Sequence, residues 1–101
     1  MVLAWIGFRS KPSKRAEVLS AVDELVCNLR GTTGCSKGRL LVDRDDANTF
    51  TVESEWRSLE DADAFLASHE FQLFRGIRML LWGEPFVVVD DVRSRTTGVV
   101  K

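Results

Sequence analysis

At 101 residues the chain is long enough for one domain and too short for two. Hydrophobic residues make up 45% and charged ones 29%, the usage of an ordinary globular domain, which excludes a disordered chain. A net charge of −1 leaves no electrostatic footprint for DNA or RNA, and the apolar runs Met79 to Trp82 and Phe86 to Val89 fall far short of the ~20 residues that cross a bilayer.

Val2 to Phe8 is expected to be a strand. Val2, Ala4, Ile6 and Phe8 fall on one face and Leu3, Trp5 and Gly7 on the other, so both faces are apolar. The same opening has no basic segment of a signal peptide, and the expected location is the cytoplasm. Cys27 and Cys35 then read as thiols.

Ser10-Lys11-Pro12-Ser13 ends the strand, with Ser13 as the expected cap of a helix. Val18, Leu19, Val22, Leu25, Val26 and Leu29 form one helical stripe, and Gly31 ends it. Cys27 is expected to fill a gap in the core. Cys35, after the Gly31 to Gly34 loop, is expected at the surface, with a redox role as the minor alternative because no CxxC or basic nest activates it.

Lys37 to Asp43 and Thr49 to Trp56 read as a hairpin around the polar turn Asp43 to Asn48. In the second strand Phe50, Val52, Ser54 and Trp56 alternate with Thr49, Thr51, Glu53 and Glu55. Asp43, Asp45 and Asp46 read as turn residues, since no glycine-spaced loop with a terminal glutamate makes them a cation site. Ser58, with Asp61 in the capping-box position, opens a second helix whose face carries Leu59, Ala62, Phe65, Leu66 and His69. The pattern runs on through Phe71, Phe74, Ile77 and Leu81, with a bend expected near His69 or Gly76. Gly83-Glu84-Pro85 breaks it before a last strand, Phe86 to Val92. Residues 1–92 form the expected domain, and Arg93 to Lys101 a polar tail.

Strand, helix, strand, strand, helix, strand is the ferredoxin-like order: an α+β fold with a four-stranded antiparallel sheet and two helices on one face. The other face would carry Leu3 and Trp5, or Val87 and Val89. That is more apolar surface than a monomer usually leaves in water, so sheet-to-sheet homodimerisation is expected, with cover by the tail as the alternative.

Glu55-Trp56-Arg57-Ser58-Leu59-Glu60-Asp61-Ala62, followed by Phe65 to Phe74, resembles the signature of the antibiotic biosynthesis monooxygenase domain family. Arg30 to Cys35 stands where that family usually carries a Pro-Gly-Cys turn, and the resemblance runs from Val2 to Val92. It implies a dimeric α/β barrel. It implies one of several activities: cofactor-free oxidation of hydroquinones, anthrones or polyketide phenols with O₂, or haem binding and degradation. The sequence departs from the family at Phe65, where a histidine is frequent. The haem-degrading branch resembles an Asn/Trp/His set, with its tryptophan at Phe65 and its histidine at Arg75; neither is present, and the first strand has no asparagine. No tyrosine exists to donate a proton.

His69 is the only histidine, the residue type whose charge changes near neutral pH, and is the candidate catalytic base or lone haem ligand. Its bland reading is a helix residue at a bend. One histidine builds no multi-histidine metal site, so no metal is expected. Trp56 is a candidate platform for a flat ligand, against a place in the core. Phe65 and Trp82 join it as candidate substrate-binding residues; for Trp82 packing is the rival. Arg39 and Arg75 could hold a phenolate or carboxylate, against solvated faces; Arg78 reads the same way, and Glu53 and Glu55 as carboxylates that meet water or lysine. The leading expectation is a cofactor-independent monooxygenase acting on a small aromatic, quinol-type ligand. The alternatives are a non-catalytic ligand-binding or regulatory dimer and a haem-binding protein.

Overall fold

A computed structural model describes residues 1–92; the tail expected from 93 to 101 lies outside them. The elements run β1 (Val2–Arg9), a 3-10 turn (Pro12–Lys14), α1 (Arg15–Arg30), β2 (Cys35–Val42), β3 (Thr49–Trp56), α2 (Leu59–Leu66), α3 (His69–Arg75), a second 3-10 turn (Gly76–Leu80) and β4 (Phe86–Asp91). The four strands form one antiparallel sheet in the order β2-β3-β1-β4. This is the ferredoxin-like fold, and α1, α2 and α3 cover one face of its sheet.

The alternation in β1 and β3 sorts residues as expected. Val2, Ala4, Ile6 and Phe8, with Phe50, Val52 and Trp56, are buried under the helices. The stripe of α1 meets them: Val18, Val22, Leu25, Val26 and Leu29 are buried. Leu19 is only partly buried at its edge.

Several expectations fail for physical reasons. Ser13 caps nothing, because Pro12 starts a 3-10 turn that leads straight into α1 without a side-chain cap. Cys27 is exposed; it lies just past the stripe, on the flank of α1 beside Val26. The second helical run is not one bent helix. Ser68 turns extended and its hydroxyl accepts the Phe71 amide at 3.3 Å, so α3 starts with its own cap at His69. His69 therefore opens a new helix instead of continuing the face of α2. At the start of α2, Ser58 caps as expected, accepting the Asp61 amide at 3.1 Å. β2 begins at Cys35, with a bulge before Lys37.

Register settles β4. Ala4 pairs with Val89 and Ile6 with Val87, which turns Val87 and Val89 toward the helices. The open face therefore carries Leu3 and Trp5 beside Phe86 and Val88, and the last two are 57% and 41% exposed. Phe86 lies over Gly7, where any Cβ would strike its ring.

The β2–β3 side of the open face is polar. Glu53 accepts from Trp5 Nε1 at 3.0 Å and from Arg39 Nε at 2.7 Å. The indole hydrogen bond, then the arginine, hold its carboxyl below the usual glutamate range. A depressed folded pKa means stability present above the unfolded value, about 4.3, and lost as pH falls through the folded one. Glu53→Gln should therefore lower neutral-pH stability slightly, by less than about 1 kcal/mol, leave stability at strongly acid pH nearly unchanged, and so flatten the acid limb below about pH 4.3. Thermal melts at stepped pH check this; an unchanged acid limb would place the acid sensitivity elsewhere.

Candidate functional site

Between sheet and helices the side chains form a column of rings. Trp56 and Phe65 lie 5.4 Å apart, Phe65 and Phe71 5.7 Å, and Phe71 and Phe74 6.2 Å. Phe74 then meets Phe8 edge-on at 5.6 Å, and Phe8 meets Phe50 at 5.7 Å. Aromatic pairs at these spacings add favourable quadrupole contacts to their buried area. Trp56 is 1% exposed, and its indole N–H donates to Ser54 Oγ at 2.8 Å. The Ser54 hydroxyl in turn donates to the Ala4 carbonyl at 3.3 Å. Among the described residues no buried side-chain polar atom lacks a partner.

Outside this column the helices leave a groove. One hollow, about 430 Å³, lies between α1 and α3, with Leu25, Leu73, Phe74 and Ile77 as its apolar lining and Glu24 and His69 beside them. A second, about 560 Å³, lies between the end of α1 and α2, with Thr32, Asp61 and Phe65 in its wall. Asn28 and Glu70 line both, so the hollows adjoin. The α2–α3 break creates this shape, because Ser68 turns the chain before His69.

The residues singled out in the sequence fall in five places. Trp56 and Phe65 meet in the ring column, and Phe65 also reaches the groove. His69 lines the groove at the first turn of α3. Arg75 is exposed, its guanidinium 5.8 Å from the centre of the Phe71 ring. Trp82 is 58% exposed beyond the second 3-10 turn, with Lys11 Nζ 5.8 Å from its ring centre. Arg39 lies on the open face with Glu53, Lys37 and Glu55, around a hollow of about 200 Å³. Within one chain the sheet separates Arg39 from Trp56, Phe65 and His69. Of the two thiols, Cys27 lines the groove, and Cys35 is pushed up by burial, which works against a thiolate there.

Glu24, Asn28 and Glu70 were not singled out in the sequence. On α1 the first two are four residues apart, one helical turn, which is a usable signal once α1 is known to flank a groove. Asp46 is a turn residue: it accepts from the Asn48 amide and the Thr49 hydroxyl, both at 2.9 Å, and faces Arg9 at 3.2 Å. No cluster of metal-ligating side chains occurs among the described residues, and no helix there is long and apolar enough to cross a membrane.

A model of the family described as antibiotic biosynthesis monooxygenase matches residues 1–76. Solved structures extend the likeness to the whole fold. One, named for an antibiotic biosynthesis monooxygenase, is 25% identical, with a TM-score of 0.83 over 93% of this chain and 100% of its own. Rv0793 from Mycobacterium tuberculosis is 20% identical, with a TM-score of 0.82 over 94% of this chain and 98% of its own. Protein SO0527 from Shewanella oneidensis is 22% identical, with a TM-score of 0.78 over 88% of this chain and 87% of its own. The chain matches no curated protein.

Proposed function

Since the chain belongs to the antibiotic biosynthesis monooxygenase family, we propose that it oxidises a small electron-rich aromatic, of quinol or anthrone kind, with O₂ and no bound cofactor. The observation that supports this most is the apolar hollow between α1 and α3, about 430 Å³, with His69 on its wall. That volume is in the range of small-molecule sites. Leu25, Phe74 and Ile77 give a flat substrate an apolar floor.

The chemistry asks little of the protein. An imidazole takes a proton from the substrate hydroxyl or acidic C–H. The anion passes one electron to O₂, and the radical pair joins as a hydroperoxide. Loss of water leaves a carbonyl, so a CH₂ group and O₂ become C=O and H₂O. Both oxygen atoms are accounted for without an outside reductant. The groove contributes binding and orientation.

O₂ uptake by metal-free protein on hydroquinones and anthrones, with autoxidation subtracted, tests the reading. Uptake should scale with protein and fall about 10²-fold in His69→Ala. Ligand binding without uptake would support the non-catalytic binding protein instead. Haem draws less support, because Phe65 and Arg75 replace the tryptophan and histidine of the haem-degrading branch, and rings fill the space under α2 and α3. A Soret band on hemin titration, lost in His69→Ala, would reverse that judgement.

The working unit on this reading is a homodimer joined through the open sheet face. Leu3, Trp5, Phe86 and Val88 form its apolar part, and Trp82 extends this region at its edge. A second copy would remove that surface from water.

A further inference from the structure

We infer that the groove beside α1 selects aromatics that carry an amine over those that carry a carboxylate. This rests on the reading of the groove as the substrate site and adds the charge of the substrate to it. Among the described residues, the charged side chains lining the two hollows are Glu24, Asp61 and Glu70, and no lysine or arginine lines either. Asp61 is shared with Arg57, whose Nη2 lies 3.4 Å from it. Glu24 and Glu70 are exposed and make no ion pair with a described residue. Nearby arginines are turned to other work: Arg75 lies over Phe71, and Arg78 faces Glu84 at 3.7 Å.

The two features act on different parts of one ligand. The floor of Leu25, Phe74 and Ile77 takes the ring system, whatever its charge. Glu70 stands where the two hollows meet, so a short amine arm on a seated ring points to carboxylates on either side. A carboxylate arm in the same place meets like charge, with no lysine or arginine among the described lining residues to offset it. Such contacts, at a wet rim, tune selection more than total affinity.

The test is calorimetric titration of the full chain with 1-naphthylmethylamine, 1-naphthalenemethanol and 1-naphthoate at pH 8 and low salt. The amine should bind about three- to tenfold more tightly than the alcohol, and the carboxylate most weakly, with the differences shrinking in high salt. Glu24→Gln with Glu70→Gln should erase the amine preference and leave the alcohol unchanged; both positions are exposed, so the fold should tolerate the change. Naphthoate binding as tightly as the amine, or a preference that survives the double variant, would overturn the inference. No binding of any of the three would overturn it together with the groove as a site. Amine preference without O₂ uptake would sink the oxygenase reading alone, and faster uptake from anionic than from amine-bearing quinols would sink the charge selection alone.

Discussion

Trp56→Ala should lower the folding free energy by about 3–5 kcal/mol, read as a drop in the urea midpoint with little change in slope. The indole is 1% exposed, stacks on Phe65 at 5.4 Å and donates to Ser54 at 2.8 Å. Truncation removes the transfer free energy of the ring and leaves a cavity lined by Phe65 and the sheet. It also costs the Ser54 hydroxyl its acceptor role. For a domain whose whole stability is about 5–15 kcal/mol, this is a large share. Trp56→Phe should cost less, since most of the ring contact remains. The measurement also bears on function. A loss under about 1 kcal/mol would mean that Trp56 is not a packed core residue, as its burial indicates, but the wall of a space that opens for ligand.

The second large effect concerns the open sheet face. Val88→Asp should weaken the proposed homodimer by about 10³-fold, because a two-fold interface repeats each change and two losses of about 2 kcal/mol add. Val88 is 41% exposed within one chain, and Asp90 follows it on the same face. A carboxylate is cheap there while the face meets water and costly once a second copy dries it. Sedimentation velocity at tens of micromolar should find a dimer for the unaltered chain and a monomer for Val88→Asp, with identical far-UV circular dichroism. A monomeric unaltered chain would end the dimer proposal. A dimeric Val88→Asp would move the interface off this face.

Much of the fold was legible because side-chain period reports on burial wherever only one parity is apolar. β3 is the clear case: Phe50, Val52 and Trp56 alternate with threonine and glutamate, and that parity faces the helices. The stripe of α1 and the Ser58 cap of α2 were readable for the same local reasons. The family signature around Trp56 and Phe74 then pointed to the same fold as the element order.

Where both parities were apolar, local pattern had nothing to choose between. In β4 the pairing of Ile6 with Val87 decided that Val87 and Val89 go inward, leaving Phe86 and Val88 outside. Ser68 was another such place. Phe65, Phe71 and Phe74 all reach the core, so hydrophobic spacing alone joined α2 to α3, and only the backbone turn at Ser68 separated them. That turn puts His69 and Glu70 beside Glu24 and Asn28, from a segment more than forty residues earlier in the chain. By itself, then, the sequence determined the order of strands and helical runs, short of the break at Ser68, because those depend on neighbours along the chain. Which face of β4 is covered, and which polar residues share a groove, depended on contacts between distant segments, and only the tertiary structure decided them.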